Sequence, residues 1–288
     1  MLFFAPAKIN LALQILRKRQ DGYHEVDMIL QSVSLKDCLE IEKIPVGIEL
    51  TCNVSELPTD SRNLVWQAAD LLKKRYSVSS GARIHLEKVI PAEAGLAGGS
   101  ADCAAALRGL NQIWGLNLST SKLQELGAEL GSDVPFCILG GTARGQGRGE
   151  RLTILSDVPH FHVLLVKPSV GVSTGQAYGG FREDGICRTF GVPEMVEAIE
   201  RRDREAICGK LNNDFENWIL NEKPMIAEIM KVLREVGAKG VGMSGSGPTV
   251  FALGDSKEEI ERWQVAVRHL GETWLCETLG KEEGDNDD

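Results

Sequence analysis

The sequence predicts a two-domain chain in which each domain mixes sheet and helix. Three observations carry that expectation. The 288 residues are enough for one large domain or two ordinary ones. Apolar-rich, partly alternating stretches near the start give way to segments with helical spacing. Near residue 155 a proline interrupts the pattern and a strong new strand follows. A composition of 43% hydrophobic and 25% charged residues is that of a globular protein.

In chain order, residues 2–16, 27–35 and 37–50 read as strands that open a sheet. "SRNLVWQAADLLKKRY" then sets apolar residues at 64, 65, 68, 69, 71 and 72, a helical stripe, and Asn63 is placed to cap it. "ARIHLEKVI" (82–90) alternates again as a strand, and helices follow at about 99–113 and 119–130. Beyond Pro159, "HFHVLLVKP" reads as a strand. "PMIAEIMKVLREVG" carries apolar residues at 226, 229, 230 and 233, with Pro224 at its start and Gly237 at its exit. Ser256 and Glu259 stand at capping-box spacing before a last helix. "GVGMSGSGPTVFAL" is glycine-rich and ends as a strand. These readings divide the chain into residues 1–154, residues 155–280 and an acidic tail, 281–288, expected to be disordered.

The formal charge of -9 argues against a nucleic-acid partner or an anionic membrane surface. The tail, with five acids and one lysine, supplies four of those nine charges. No run reaches transmembrane length, and the apolar start lacks the flanks of a signal peptide. Seven widely spaced cysteines without a C-x-x-C pair suit free thiols in a reducing cytoplasm, the expected location. His160 and His162 alternate on a strand without further ligands nearby and read as structural.

Five stretches could carry chemistry. "PAEAGLAGGSAD" (91–102) runs from strand through glycines into helix, the arrangement that presents backbone N–H groups and a positive helix end to an anion. Gly95, Gly98 and Gly99 permit close backbone approach, and Ser100 offers a hydroxyl to phosphate or its magnesium ion. No P-loop lysine is present; tight packing of helix on sheet is the alternative use of such small residues. Gly240, Gly242 and Gly245 match G-x-G-x-x-G, yet they follow a helix and precede the strand "TVFAL", the reverse of a dinucleotide fingerprint. This loop is therefore a tight turn able to pack beside another backbone or a ligand. Lys8 lies in the apolar strand "PAKINLAL" with Asn10 on the same face, either snorkelling at an edge or paired in a site. Asp133 in "GSDVPF" follows a helix, as a cap or turn residue, or as a carboxylate that Lys8 would keep ionised toward a substrate hydroxyl. In "DGYHEVD", Tyr23 and His24 could stack on a base and bond its edge, or simply pack a turn.

Taken together and in this order, "PAKINLAL", "PAEAGLAGGSAD" and "GVGMSGSGPTVFAL" resemble the GHMP small-molecule kinases over nearly the whole chain up to the tail. The resemblance implies an α+β, two-domain GHMP kinase fold: an N-terminal domain like ribosomal protein S5 domain 2 and a ferredoxin-like C-terminal domain. It implies ATP with Mg2+ as the phosphoryl donor and a small alcohol as acceptor. Lys8 and Asp133 match the catalytic pair. Pro91, Ala92, Glu93, Ala94, Gly95, Leu96, Ala97, Gly98, Gly99, Ser100 and Ala101 match the ATP-phosphate loop, with Ser100 as the magnesium contact. The combination "APAKINL", "DGYHE" and "GSDVPF" is similar to the family branch whose substrate carries a cytidine diphosphate. There Tyr23 and His24 match the cytidine site, Tyr178 looks like the second ring around the base, and Asn10 looks like a substrate contact. A GHMP kinase for homoserine or a mevalonate derivative, which would leave "GYHE" an ordinary turn, and a non-catalytic sensor on the same fold are the competing expectations. Two departures from the family pattern stand out. Position 101 is alanine where many relatives carry a second serine, and Glu93 sits beside a polyanion site, so its carboxylate is expected to point away.

Overall fold

The computed structural model describes residues 1–172, 174–181 and 190–281, so the acidic tail beyond Lys281 lies outside the described residues. The chain forms two compact units, each discontinuous in sequence. The first comprises Met1–Ala7, Lys36–Ala92 and Ala97–Gly140; the second comprises Lys8–Leu35, Glu93–Leu96 and Gly141–Asp288. Strands β1 (Leu2–Lys18) and β2 (His24–Ile44) each contribute to both. The expected boundary near 155 falls within the second unit.

In the first unit β2 pairs antiparallel with β4 (Gly81–Glu87), which pairs parallel with β3 (Ile48–Cys52). Helices α1 (Leu64–Tyr76), α2 (Gly98–Ile113), α3 (Thr120–Leu130) and α4 (Val134–Leu139) complete it. Asn63 caps α1 as its sequence position suggests, its Oδ1 accepting from Val65 N at 2.9 Å, and Val65, Ala68, Ala69 and Leu72 form the buried stripe. α2 is buried along its alanines from Ala101 to Ala106. The small side chains let it lie close to its neighbours: a Cβ at Gly109 would fall 2.5 Å from Ile41 Cδ1 and 2.8 Å from Phe3 Cδ2.

The strands expected at 27–35 and 37–50 are instead one strand, β2, followed by a turn at Gly47 (φ +89°) and then β3. The two expected strands are parted at Lys36 alone. Lys36 lays its ammonium 3.9 Å over the Phe4 ring. Asp37 is fully buried yet satisfied: Oδ1 accepts from Val89 N (2.5 Å) and Ile90 N (2.7 Å), and Oδ2 pairs with Lys88 Nζ. Lys88 Nζ also pairs with Asp102 Oδ2 at 2.7 Å, closing a buried ion triad, while Asp102 Oδ1 has no hydrogen-bond partner among the described residues. Burial pushes the Asp102 carboxyl up to about 8.

In the second unit the start of β2 pairs antiparallel with β5 (Thr142–Gly147), which pairs with β6 (Arg151–Ile154). A four-stranded antiparallel sheet has the order β11 (Glu272–Glu277), β7 (His162–Lys167), β10 (Val250–Gly254), β9 (Gly240–Met243). Its central strands are buried throughout "VLLV" and "VFALG". Among the described residues six helices belong to this unit: α5 (Thr174–Gly180), α6 (Val192–Glu200), α7 (Arg204–Gly209), α8 (Glu216–Glu222), α9 (Pro224–Glu235) and α10 (Lys257–Val267). A two-residue strand, β8 (Asn212–Asn213), pairs parallel with β1 through Ala12 and Leu13. α9 begins at Pro224 and buries Ile226, Ile229, Met230 and Leu233, as its periodicity implies. At α10, Ser256 Oγ accepts from Glu259 N (3.3 Å), but the Glu259 carboxylate accepts from Asp255 N (2.8 Å), one residue before the reciprocal position of a capping box. Among the described residues no helix is long and apolar enough to cross a membrane.

Candidate active site

Lys8 is 4% exposed in the middle of β1. Its Nζ donates to Asn10 Oδ1 at 2.7 Å and to the Gly95 carbonyl at 2.9 Å, so the snorkelling alternative does not apply. Asn10, also buried, is on the same face by strand alternation and turns its Nδ2 to Met28 Sδ (3.4 Å). The Lys8 N–H donates to the Leu96 carbonyl at 3.1 Å, tying the loop segment to β1 through backbone as well.

The Gly95 carbonyl receives a second donor, Ser244 Oγ, at 2.9 Å. Here the two glycine-rich stretches meet backbone to backbone. A Cβ on Gly95 would fall 2.2 Å from the Ser244 carbonyl oxygen, and one on Gly245 would fall 2.9 Å from the Gly95 oxygen and 3.1 Å from Lys8 Nζ. Both glycines hold positive φ, +72° and +55°. Gly240 and Gly242 lie within β9, and their loop leads into another strand, β10, so the dinucleotide reading fails on topology as the sequence implied. The loop closely approaches another backbone, that of Gly95.

The run "NNDFE" (212–216), which carries none of the sequence signals above, holds that loop. Asn213 Nδ2 donates to the Met243 and Gly245 carbonyls, each at 2.8 Å. Glu216 Oε1 accepts from Met243 N at 2.9 Å, and Asp214 Oδ2 accepts from Ile15 N at 2.6 Å. Apolar periodicity cannot reveal such a run. Its signal is density: four side chains able to bond backbone within five residues.

In the first unit the loop enters α2 at Ala97, which takes the left-handed conformation (φ +57°) and supplies no capping side chain. The first turn holds no acidic residue, and Ser100 lies within it. Glu93 (φ +50°) is exposed and also left-handed. Two non-glycine residues in this region of backbone space cost about 1–2 kcal/mol each, strain of the kind that collects at ligand sites. A Cβ on Gly98 would lie 3.0 Å from Ile90 Cγ2 and 3.2 Å from Lys88 Nζ. Asp133 lies in the turn before α4, at its N-cap position, and its side chain makes no capping hydrogen bond.

The aromatic residues separate into two groups. The His24 ring stacks on Tyr178 (centroids 5.0 Å, 20° between planes) and meets Phe181 edge-on, while Tyr178 is edge-on to Phe215 at 4.9 Å. Tyr23 is 54% exposed, with the Arg148 guanidinium 5.1 Å over its ring. His160 and His162 share Glu277 (3.0 and 3.3 Å), and among the described residues no group of three or more His, Cys, Asp or Glu could hold a metal ion. None of the six described cysteines is in a disulfide.

The sequence model of the GHMP kinases N terminal domain matches residues 63–141, and that of the GHMP kinases C terminal domain matches residues 195–273. The 4-diphosphocytidyl-2-C-methyl-D-erythritol kinase of Bacillus subtilis (strain 168) is 48% identical over 265 residues, 92% of this chain and 91% of that protein. The chain belongs to the GHMP kinase family. A second relative of the same name, from Synechococcus sp. (strain JA-2-3B'a(2-13)), is 49% identical over 88% of this GHMP kinase and 85% of its own length. A crystal structure of 4-(cytidine 5'-diphospho)-2C-methyl-D-erythritol kinase has a TM-score of 0.84 at 33% identity, covering 97% of this chain and 100% of that one. L. major mevalonate kinase, at 16% identity and a TM-score of 0.77 over 97% of this chain and 96% of its own, shares the fold.

Proposed function

We propose that this GHMP kinase transfers the γ-phosphoryl group of ATP to the 2-hydroxyl of 4-diphosphocytidyl-2-C-methyl-D-erythritol. The observation that carries the reading is the 48% identity to a kinase of that name along almost the whole of both chains. The local chemistry supports it. The N-terminus of α2, uncapped by any side chain and free of acids in its first turn, suits a phosphate, which backbone N–H groups there would hold without a P-loop lysine. The residues from Pro91 to Ala101 would cradle the triphosphate. Mg2+ would arrive with the triphosphate, because the described residues offer no resident ligand cluster; Ser100 would be its protein contact, and the ion would neutralise charge on the β- and γ-oxygens.

In the reaction, a bond forms between the substrate hydroxyl oxygen and the γ-phosphorus as the bond from that phosphorus to the β,γ-bridging oxygen breaks, releasing ADP. The hydroxyl proton passes to Asp133. A loose phosphoryl-transfer transition state needs little help from a strong base, so orienting the hydroxyl is the larger part of the Asp133 role. Lys8, held by Asn10 and the Gly95 carbonyl, would stabilise the charge that develops on the transferred group. Tyr23, His24 and Tyr178 would take the cytosine, and the flat His24–Tyr178 stack is the kind of surface on which a pyrimidine packs.

ATP consumption should be measured with 4-diphosphocytidyl-2-C-methyl-D-erythritol, homoserine and mevalonate offered separately. Turnover with the first alone is expected. Turnover with homoserine or mevalonate would move the chain elsewhere in the family, and nucleotide binding without any turnover would mark a sensor.

A further inference from the structure

We infer that Glu216 is a positioning residue for phosphoryl transfer, acting on Lys8 through the loop between β9 and β10; the inference rests on the proposed kinase function. Every link lies in the second unit. The Glu216 carboxylate, half-buried in the first turn of α8, accepts from Met243 N at 2.9 Å. Met243 is the last residue of β9 and Ser244 follows it; Ser244 N donates to the Thr249 carbonyl, and Gly247 N to the Ser244 carbonyl, both at 2.9 Å, which closes the loop. Ser244 Oγ then fixes the Gly95 carbonyl, the same oxygen that receives Lys8 Nζ.

Two features make this chain a positioning device more than a brace. First, the loop has no slack: Gly95 and Gly245 approach so closely that neither can carry a Cβ, so a shift of Met243 is passed to the Gly95 oxygen without being absorbed by side chains. Second, carboxylate and amide grip opposite ends of one residue. Glu216 holds the N–H of Met243, while Asn213 holds its carbonyl and that of Gly245. A carboxylate buried to satisfy a single backbone N–H is costly, and burial does push the Glu216 carboxyl up to about 7.

The test compares Glu216→Ala, Glu216→Gln and Ser244→Ala, with turnover expressed per folded enzyme and thermal unfolding followed in parallel. Glu216→Ala removes the acceptor, and we expect kcat to fall at least tenfold with both KM values within threefold of wild type, since Lys8 acts where charge develops. Glu216→Gln keeps an acceptor oxygen for Met243 N and should recover most of that loss. In a Ser244→Ala background the Glu216→Ala penalty should shrink by half or more on the logarithmic scale, because the path to Gly95 is already cut. The inference is overturned by a kcat of Glu216→Ala within twofold of wild type, by Glu216→Gln as poor as Glu216→Ala, or by penalties that simply multiply in the double variant. If wild-type protein shows no turnover with the cytidine substrate, it is the functional reading that fails.

Discussion

Replacing Gly95 by alanine should both loosen the fold and slow the reaction, and the structure separates the two causes. At φ +72° an L-residue costs about 1–2 kcal/mol. The new Cβ would also sit 2.2 Å from the Ser244 carbonyl oxygen and 3.0 Å from that of Gly247, both backbone atoms that cannot rotate away, which adds about 1–3 kcal/mol of overpacking. The expected loss is therefore about 2–5 kcal/mol, or roughly 5–15 °C in Tm for a unit of this size. Gly237→Ala is the internal control. It has φ +96° but nothing within 4 Å of its Cβ position, so it reports the backbone cost alone, about 1–2 kcal/mol. Urea unfolding of the two variants isolates the steric contribution as their difference. Steady-state kinetics should show kcat of Gly95→Ala reduced by on the order of a hundredfold, because the carbonyl that steadies Lys8 is displaced. Unfolding free energies within about 0.5 kcal/mol of each other, together with unchanged turnover of Gly95→Ala, would show that the loops do not approach as closely as described.

Three further outcomes are expected. Asp133→Asn should lose most of the turnover while binding ATP as before, because the neutral amide orients the hydroxyl less firmly than a carboxylate and cannot take the proton; near-wild-type turnover would remove Asp133 from the mechanism. Asp102→Asn should change the pH dependence of stability: the unfolded carboxyl releases its proton near the ordinary value of 3.8, the buried one near about 8, so wild type loses stability relative to the variant as pH rises between them. The Tm difference, variant minus wild type, should widen from pH 5 to pH 8 and then level off, and a difference that stays flat would contradict the burial described. Glu93→Ala should alter nucleotide affinity by less than about threefold, measured by calorimetry, since the exposed carboxylate points away from the phosphates in our reading; strong tightening would place it against them.

Where elements are announced by caps and stripes, the sequence was a sufficient guide. Asn63, Pro224 and the Ser256 hydroxyl stand where their helices begin, and the four apolar residues of α9 form one buried face. One long strand was expected as two, parted at Lys36. Asp37 interrupts an apolar run yet lies inside one continuous strand, because its partners, Lys88, Val89 and Ile90, are 51 to 53 residues away. The two glycine loops were each visible, but their meeting was not, since 149 residues separate Gly95 from Ser244. The hardest part to read was "NNDFE": Asn213, Asp214 and Glu216 bond backbone N–H and C=O groups, which show in sequence only as a density of polar side chains and not as a period.

The discontinuity of the units has a consequence for biosynthesis. Every segment of the first unit has been translated by Gly140, so it can close while the remainder of the chain is still being made. Parts of the second unit are made long before their partners: Ile15 waits for Asp214, 199 residues on, and Gln31 for Leu279, 248 residues on. Until then the edge of β1 that β8 will cover stays open to wrong pairing, and the closure that ends this exposure is non-local and slow.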